Sequence, residues 1–267
     1  MGKLATPLIA VAASVVLAPT ASASVVSFCS DIGGQWDGQF CRASVLSERK
    51  AVRNIQIALP GELIENGAIG GDLRDYLGTL MGNWKRVAEK MPMDSFGEAH
   101  FQVHQHGDLL TVVYREIYSG AWGTDAGSHP NMPVLNNAYR TFAYAGGRRV
   151  HLADVLKPGT GLEAIPPLAH PYVVEALDKA PPRHQPGTYP FITERWTPDK
   201  VYSGGYKAWA LTPTELILYM PDYPVGRDSP FNFTPGLPHW YMDGGVVEPH
   251  IPISALSSIL RPEYGGT

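Results

Sequence analysis

A chain of 267 residues that is 44% hydrophobic and 17% charged has enough apolar material for one large domain or two small, closely packed ones. Its 21 basic and 25 acidic residues leave a formal charge of -4, with no Lys/Arg cluster to neutralise a run of phosphates. Nucleic acid is therefore excluded as the expected partner.

The first residues read as a secretory leader. Lys3 precedes an apolar run over residues 4–18, then Pro19 and Ala21-Ser22-Ala23, a small-x-small cleavage pattern. Residues 1–23 are expected to be a signal peptide cleaved after Ala23. The apolar run is short for a bilayer span of about 20 residues. No later stretch is apolar enough to span, so a secreted or envelope-associated product without a transmembrane anchor is expected.

Export sets the reading of the cysteines. In an oxidising compartment, Cys29 and Cys41, with no other cysteine in the chain, most simply bond to each other. That bond would close an N-terminal segment over residues 24–50, holding a hairpin with Gly33, Gly34 and Gly38 as turn residues. Trp36 in this hairpin either points outward, where it can stack on a sugar ring, or folds inward as an anchor; the inward reading is favoured.

Residues 51–267 read as α+β. Residues 52–59 form a strand that stops at Pro60-Gly61. After Gly70-Gly71, Asp72 is placed to cap a helix whose Leu73, Tyr76, Leu77, Leu80, Met81, Trp84, Val87 and Ala88 share one face. Residues 96–106 make a strand with Phe101, Val103 and Gln105 on one face and His100, Gln102, His104 and His106 on the other. Gly107-Asp108 turns it into a strand over 109–118, rich in β-branched and aromatic residues. The next strand, 137–144, alternates Ala138, Arg140, Phe142 and Tyr144 against Tyr139, Thr141 and Ala143. These last two are expected to be neighbours at the centre of a sheet. A return strand over 148–152 follows. Leu162, Ile165, Leu168, Tyr172, Ala176 and Leu177 keep helical spacing, with Pro166, Pro167 and Pro171 in first turns or at a kink. An irregular excursion reaches Pro198. A hairpin over 206–220 then turns Leu216, Leu218 and Met220 inward. An aromatic, proline-rich loop over 221–245 precedes a last strand, 246–253, and a short helix capped by Ser254. The expected fold is a mixed, mostly antiparallel curved sheet with helices packed on it and an N-terminal disulfide hairpin.

Three constellations bear on chemistry. Alternate histidines on one strand face have the projection of a zinc site, but no nearby carboxylate is evident to orient them; no metal and no cofactor are expected. Catalysis by an esterase route needs a nucleophile, a base held by an acid, and oxyanion donors. Ser128 beside His129, with Asp125 or Asp154, is the least poor set, and no Gly-x-Ser-x-Gly elbow occurs. Loop aromatics supply the third. Trp36, Trp122, Tyr223, Phe231, Trp240 and Tyr241 are flat rings near Asp, Asn or Gln, suited to sugar faces and hydroxyls. The ligand-binding set is Trp36, Trp122, His129, Tyr223, Trp240 and Tyr241, with capping of the sheet ends as the structural alternative.

The order of short motifs adds a resemblance. Val112-Val113-Tyr114 with Tyr118, Ser128-His129-Pro130, Tyr139 with Thr141-Phe142, and Leu152-Ala153-Asp154-Val155-Leu156 with Pro158-Gly159 recur in one sequence. Trp209-Ala210-Leu211, Leu216-Ile217-Leu218-Tyr219 and Ile251-Pro252-Ile253-Ser254-Ala255-Leu256 complete the series. From about Cys29 onward the chain resembles the secreted mycobacterial immunogenic antigen family, whose fold is shared with the extracellular C-terminal domain of lysozyme-sensing anti-sigma factors. That resemblance implies an α+β domain and roles in binding host components or lysozyme, with one proposed esterase in the family. Locally, Gly33-Gly34-Gln35-Trp36-Asp37-Gly38 is similar to the cores of bacterial mannan-binding modules. The expectation is a secreted, non-catalytic binder of a glycan or an extracellular protein; the alternative is a secreted esterase-type hydrolase.

Overall fold

The computed structural model describes residues 23–120, 134–179, 196–220, 235 and 247–267. Its frame is an open seven-stranded sheet in the order β1-β2-β3-β4-β5-β6-β7. The strands are β1 (Gln35–Trp36), β2 (Phe40–Leu46), β3 (Val52–Ala58), β4 (Ser95–His106), β5 (Leu109–Gly120), β6 (Val134–Ala145) and β7 (Arg148–Arg149). Every neighbouring pair is antiparallel except β3 and β4, which are parallel. A parallel pair needs a long crossover, and helix α2 (Gly67–Ala88) supplies it.

The expected face of α2 is the buried one: Leu73, Leu77, Leu80, Met81 and Trp84 are inaccessible to solvent, and Tyr76 and Ala88 nearly so. Each large side chain fully buried there contributes about 1.5–3 kcal/mol. They pack on Ile55 and Ile57 of β3, Ala99 of β4, Val112, Tyr114 and Tyr118 of β5, and Phe142 and Tyr144 of β6. The helix begins earlier than Asp72. It runs through Gly70 because a side chain there would collide with the Ile64 carbonyl, 2.5 Å from where a Cβ would stand. Asp72 instead accepts hydrogen bonds from the Tyr144 hydroxyl and, at 2.7 Å, the Arg149 guanidinium, tying α2 to β6 and β7.

The opposite sheet face carries a second layer. Strands β8 (Trp209–Leu211), β9 (Glu215–Leu218) and β10 (His250–Pro252) form a small antiparallel sheet in the order β10-β9-β8. Against it pack α3 (Leu152–Val155), α4 (Ile165–Lys179) and α5 (Ile253–Leu256), sharing a core with Leu109 and Ala143 of the large sheet. Leu216, Leu218 and Met220 face this core, as their alternation predicts. Between the sheets, Tyr139 stacks on Tyr219 with ring centroids 4.6 Å apart and donates its hydroxyl to Glu248 at 2.7 Å. Pro166 and Pro167 sit in the first turn of α4 and Pro171 lies inside it.

Three local readings are corrected. The return strand after the Gly146-Gly147 turn is only two residues long, because the chain turns into α3 at Leu152. Pro252, not Ser254, stands at the start of α5, and Ser254 lies within the helix. Gly33 and Gly34 belong to the exit from a helix, α1 (Ala23–Asp31), and not to the hairpin turn, which is made at Gly38. Among the described residues no helix is long and apolar enough to cross a membrane.

Candidate functional site

The N-terminal segment is fastened at three points. Cys29 of α1 and Cys41 of β2 form the expected disulfide, with both residues fully buried and their Cα atoms 5.5 Å apart. Phe28 and Val25 of α1 pack into the core beneath α2. At the end of α1, Gly33 takes φ +77°, and the Lys85 ammonium donates to the carbonyls of Ile32 and Gly33 at 3.2 and 2.6 Å. A cation on the last carbonyls of a helix meets the negative end of its dipole. Partial burial lowers the Lys85 pKa.

The β1–β2 turn is built by Asp37. Its Oδ1 accepts the backbone N–H groups of Gln39 and Phe40 at 2.9 and 2.7 Å, an Asx-type turn, and its other oxygen pairs with the Arg42 guanidinium. The Arg42 hydrogen bond, followed by the two backbone donors, holds the Asp37 pKa at about 2. Arg42 also donates to Gln56 on β3 at 2.7 Å.

These fastenings leave a groove of about 530 Å³, lined by Gly33, Gln35, Arg42, Ala43, Ser44, Asn54, Ile55 and Lys85. It exists because β1 is short: it pairs only with Cys41 and Arg42, so β2 has no strand partner on that side from Ala43 onward among the described residues. Ala43 and its cross-strand partner Ile55 also line the groove, but Ile55 is buried and both belong to the core beneath α2. Gln35, Ser44 and Asn54 are exposed around the groove. The Ser44 hydroxyl donates to Asn54 Oδ1 at 3.3 Å, which leaves the Asn54 amide protons available to a ligand. The groove therefore offers amide donors and acceptors, a hydroxyl and two cations. That combination suits a polyhydroxylated ring, whose hydroxyls both give and accept hydrogen bonds.

Trp36 is half-buried, leans on the core beneath α2, and has its indole N–H shielded. Trp122, Ser128, His129, Asp125, Tyr223, Phe231, Trp240 and Tyr241 lie outside the described residues, as do residues 1–22, in which most of the expected signal peptide falls. Asp154 is described, and its carboxylate accepts the His151 backbone N–H at 2.8 Å at the start of α3. The histidines of β4 are separately engaged. His106 Nδ1 lies 2.7 Å from the Thr212 carbonyl, His100 meets the Phe40 ring edge-on and lies 3.4 Å from Glu98, and burial lowers the pKa of His104. Among the described residues no three His, Cys, Asp or Glu side chains are grouped to hold a metal.

Arg42, Ser44, Asn54 and Lys85 were not singled out as site residues by sequence reasoning, and Gln35 entered only within the motif from Gly33 to Gly38. Arg42 and Ser44 alternate on one strand, a signal that becomes visible once β2 is recognised; Lys85 carries no such signal, because the spacing of α2 reports only its buried face.

A second cleft of about 360 Å³ lies beside α4, lined by Pro166, Pro167, His170, Val173, Trp196, Thr197 and Tyr206. Its described lining has one imidazole and neither a serine nor a carboxylate.

Two family models match separate parts of the chain. Residues 18–55, which carry most of the groove, match a mannan-binding protein family, and residues 153–254, which carry α3, α4 and the small sheet, match a protein family of unknown function, DUF3298. No curated protein matches the chain in sequence. Among solved structures, a DUF3298 family protein from Pseudomonas aeruginosa PAO1 is similar at 16% identity and a TM-score of 0.48, over 86% of this chain and 96% of that one.

Proposed function

We propose that this protein is a secreted, non-catalytic binding protein that engages a mannan-type glycan in the groove beside its disulfide hairpin. One observation carries the reading: Gln35, Arg42, Ala43, Ser44 and Asn54 converge on one groove and all come from the segment similar to mannan-binding proteins. The chemistry supports it, since the amide and hydroxyl groups both give and accept hydrogen bonds as sugar hydroxyls do, while the two cations are already engaged by Asp37 and by the Ile32 and Gly33 carbonyls. Residues 1–23 act as a cleaved leader in this reading, and the buried disulfide accords with an oxidising destination. The resemblance of the motif series to the mycobacterial antigens and the lysozyme-sensing domains supports work outside the cell, with binding as its purpose.

The test is retention of the purified protein on immobilised mannan compared with galactan and cellulose. Retention on mannan, released by soluble mannose oligomers and lost in Asn54→Ala and Gln35→Ala, is the expected result. Failure to bind mannan, or binding unchanged in both folded variants, refutes it.

A further inference from the structure

Among the described residues two arginines lie between α2 and the large sheet, and only one of them faces an acid. Arg140 of β6 faces Glu116 of β5 at 3.2 Å, and the Tyr76 hydroxyl of α2 donates to the same carboxylate at 3.1 Å. Arg53 of β3 is more deeply buried, at 1% exposure, and none of its three guanidinium nitrogens has a hydrogen-bond partner among the described residues. Its guanidinium carbon lies 5.6 Å from the centre of the Tyr118 ring. A ring face offsets part of a buried charge but accepts no N–H.

The neighbours of Arg53 are donors as well. Ser95 is its register partner on β4, and the Ser95 hydroxyl is buried without a partner. Trp84 of α2, fully buried and 6.3 Å from the Tyr118 ring, presents an indole N–H that also lacks an acceptor. Burial lowers the Arg53 pKa to about 10, so the group stays charged at neutral pH, and no carboxylate contributes to that shift. An uncompensated internal charge beside two orphan donors is a configuration that proteins avoid. It becomes favourable when an acceptor carrying negative charge is supplied.

We propose that Arg53, Ser95 and Trp84 form an internal site for a small monovalent anion of chloride size, held between the C-terminal half of α2 and the edges of β3 and β4. The guanidinium supplies the charge and a planar fork of N–H groups; the hydroxyl and the indole complete the shell. The site is separate from the glycan groove and does not depend on it.

The test follows the thermal midpoint of the full-length protein as chloride replaces sulfate at constant ionic strength, in wild type, Arg53→Met and Ser95→Ala. Wild type is expected to gain stability along a saturating single-site curve, and Arg53→Met to lose that component, which separates binding from general salt effects. Ser95→Ala, the milder change, is expected to need about tenfold more chloride for half-saturation, the loss of one hydrogen bond to a charged group. Parallel responses in wild type and Arg53→Met overturn the proposal. So does an unshifted Ser95→Ala curve, or an Arg53→Met protein more stable than wild type at every chloride concentration.

Discussion

The Trp84 indole of α2 lies directly against Gly97 of β4, and replacing this glycine by alanine tests the packing of the helix on the sheet. A Cβ built there stands 2.9 Å from two carbons of the Trp84 indole and 3.2 Å from a third. The backbone cannot retreat easily, because Gly97 is paired with Ile55 on one side and Tyr118 on the other. Nor can the indole, which is fully buried and flanked by Tyr118. Gly97 has no positive φ, so alanine is conformationally allowed and gains about 0.4–1 kcal/mol from a less flexible unfolded chain. Overpacking costs about 1–3 kcal/mol. The net expectation is a loss of about 1–2 kcal/mol, read as a lower urea midpoint at unchanged slope. Pairing Gly97→Ala with Trp84→Phe closes a double-mutant cycle, in which the smaller ring recovers about 0.5–2 kcal/mol of that loss. A neutral or stabilising Gly97→Ala, or strict additivity in the cycle, refutes the claim that these two residues are in steric register.

Removing the disulfide by Cys29→Ala with Cys41→Ala reopens a loop with a sequence separation of 12. It should cost about 3 kcal/mol, or about 6–12 °C in the thermal midpoint of a domain this large; a change within experimental error contradicts the fastening role given to it. The Asp37 carboxylate gives a pH signature. Its folded pKa, lowered from 3.8 to about 2, makes its contribution complete above about pH 4 and lost as pH falls through about 2. The stability difference between wild type and Asp37→Asn should therefore shrink between pH 4 and pH 2 and weaken with salt, since both partners of the Arg42 pair are substantially exposed. A difference independent of pH across that range contradicts the charge-based account of the turn.

The sequence made the sheet and its principal helix legible wherever one periodicity dominates. The residues read as strands in β4 and β6 alternate, β5 is an unbroken run of β-branched and aromatic residues, and the buried side of α2 follows three-and-four spacing through Trp84 and Ala88. The elements that were missed lack such a pattern. α1 follows closely on the apolar run over residues 4–18 and carries no helical signal of its own, although the Cys29 bond and the Lys85 cap make it part of the fold. β2 mixes Phe40, Cys41 and Val45 with Arg42 and Ser44, and its role as a sheet strand comes from pairing with β3 over its whole length. Gly70 reads as a breaker but is required by the close approach to Ile64. The groove was illegible for a further reason: its walls come from residues 33–35, 42–44, 54–55 and 85, brought together only when β1 and α2 dock at the edge of β2. Local similarity at Gly33-Gly34-Gln35-Trp36 pointed to the right segment, yet the ring it emphasised leans on the core while its polar neighbours face the groove.

The central claim is that this groove recognises a mannan-type glycan, and side-chain amide resonances report on it directly. Titrating a mannose oligosaccharide into the 15N-labelled protein should shift the Asn54 and Gln35 side-chain amides together with the backbone of Ala43 and Ser44, in a saturable, galactose-insensitive manner. Saturable shifts confined to residues far from the groove, or none at concentrations that saturate known mannose binders, would contradict the account.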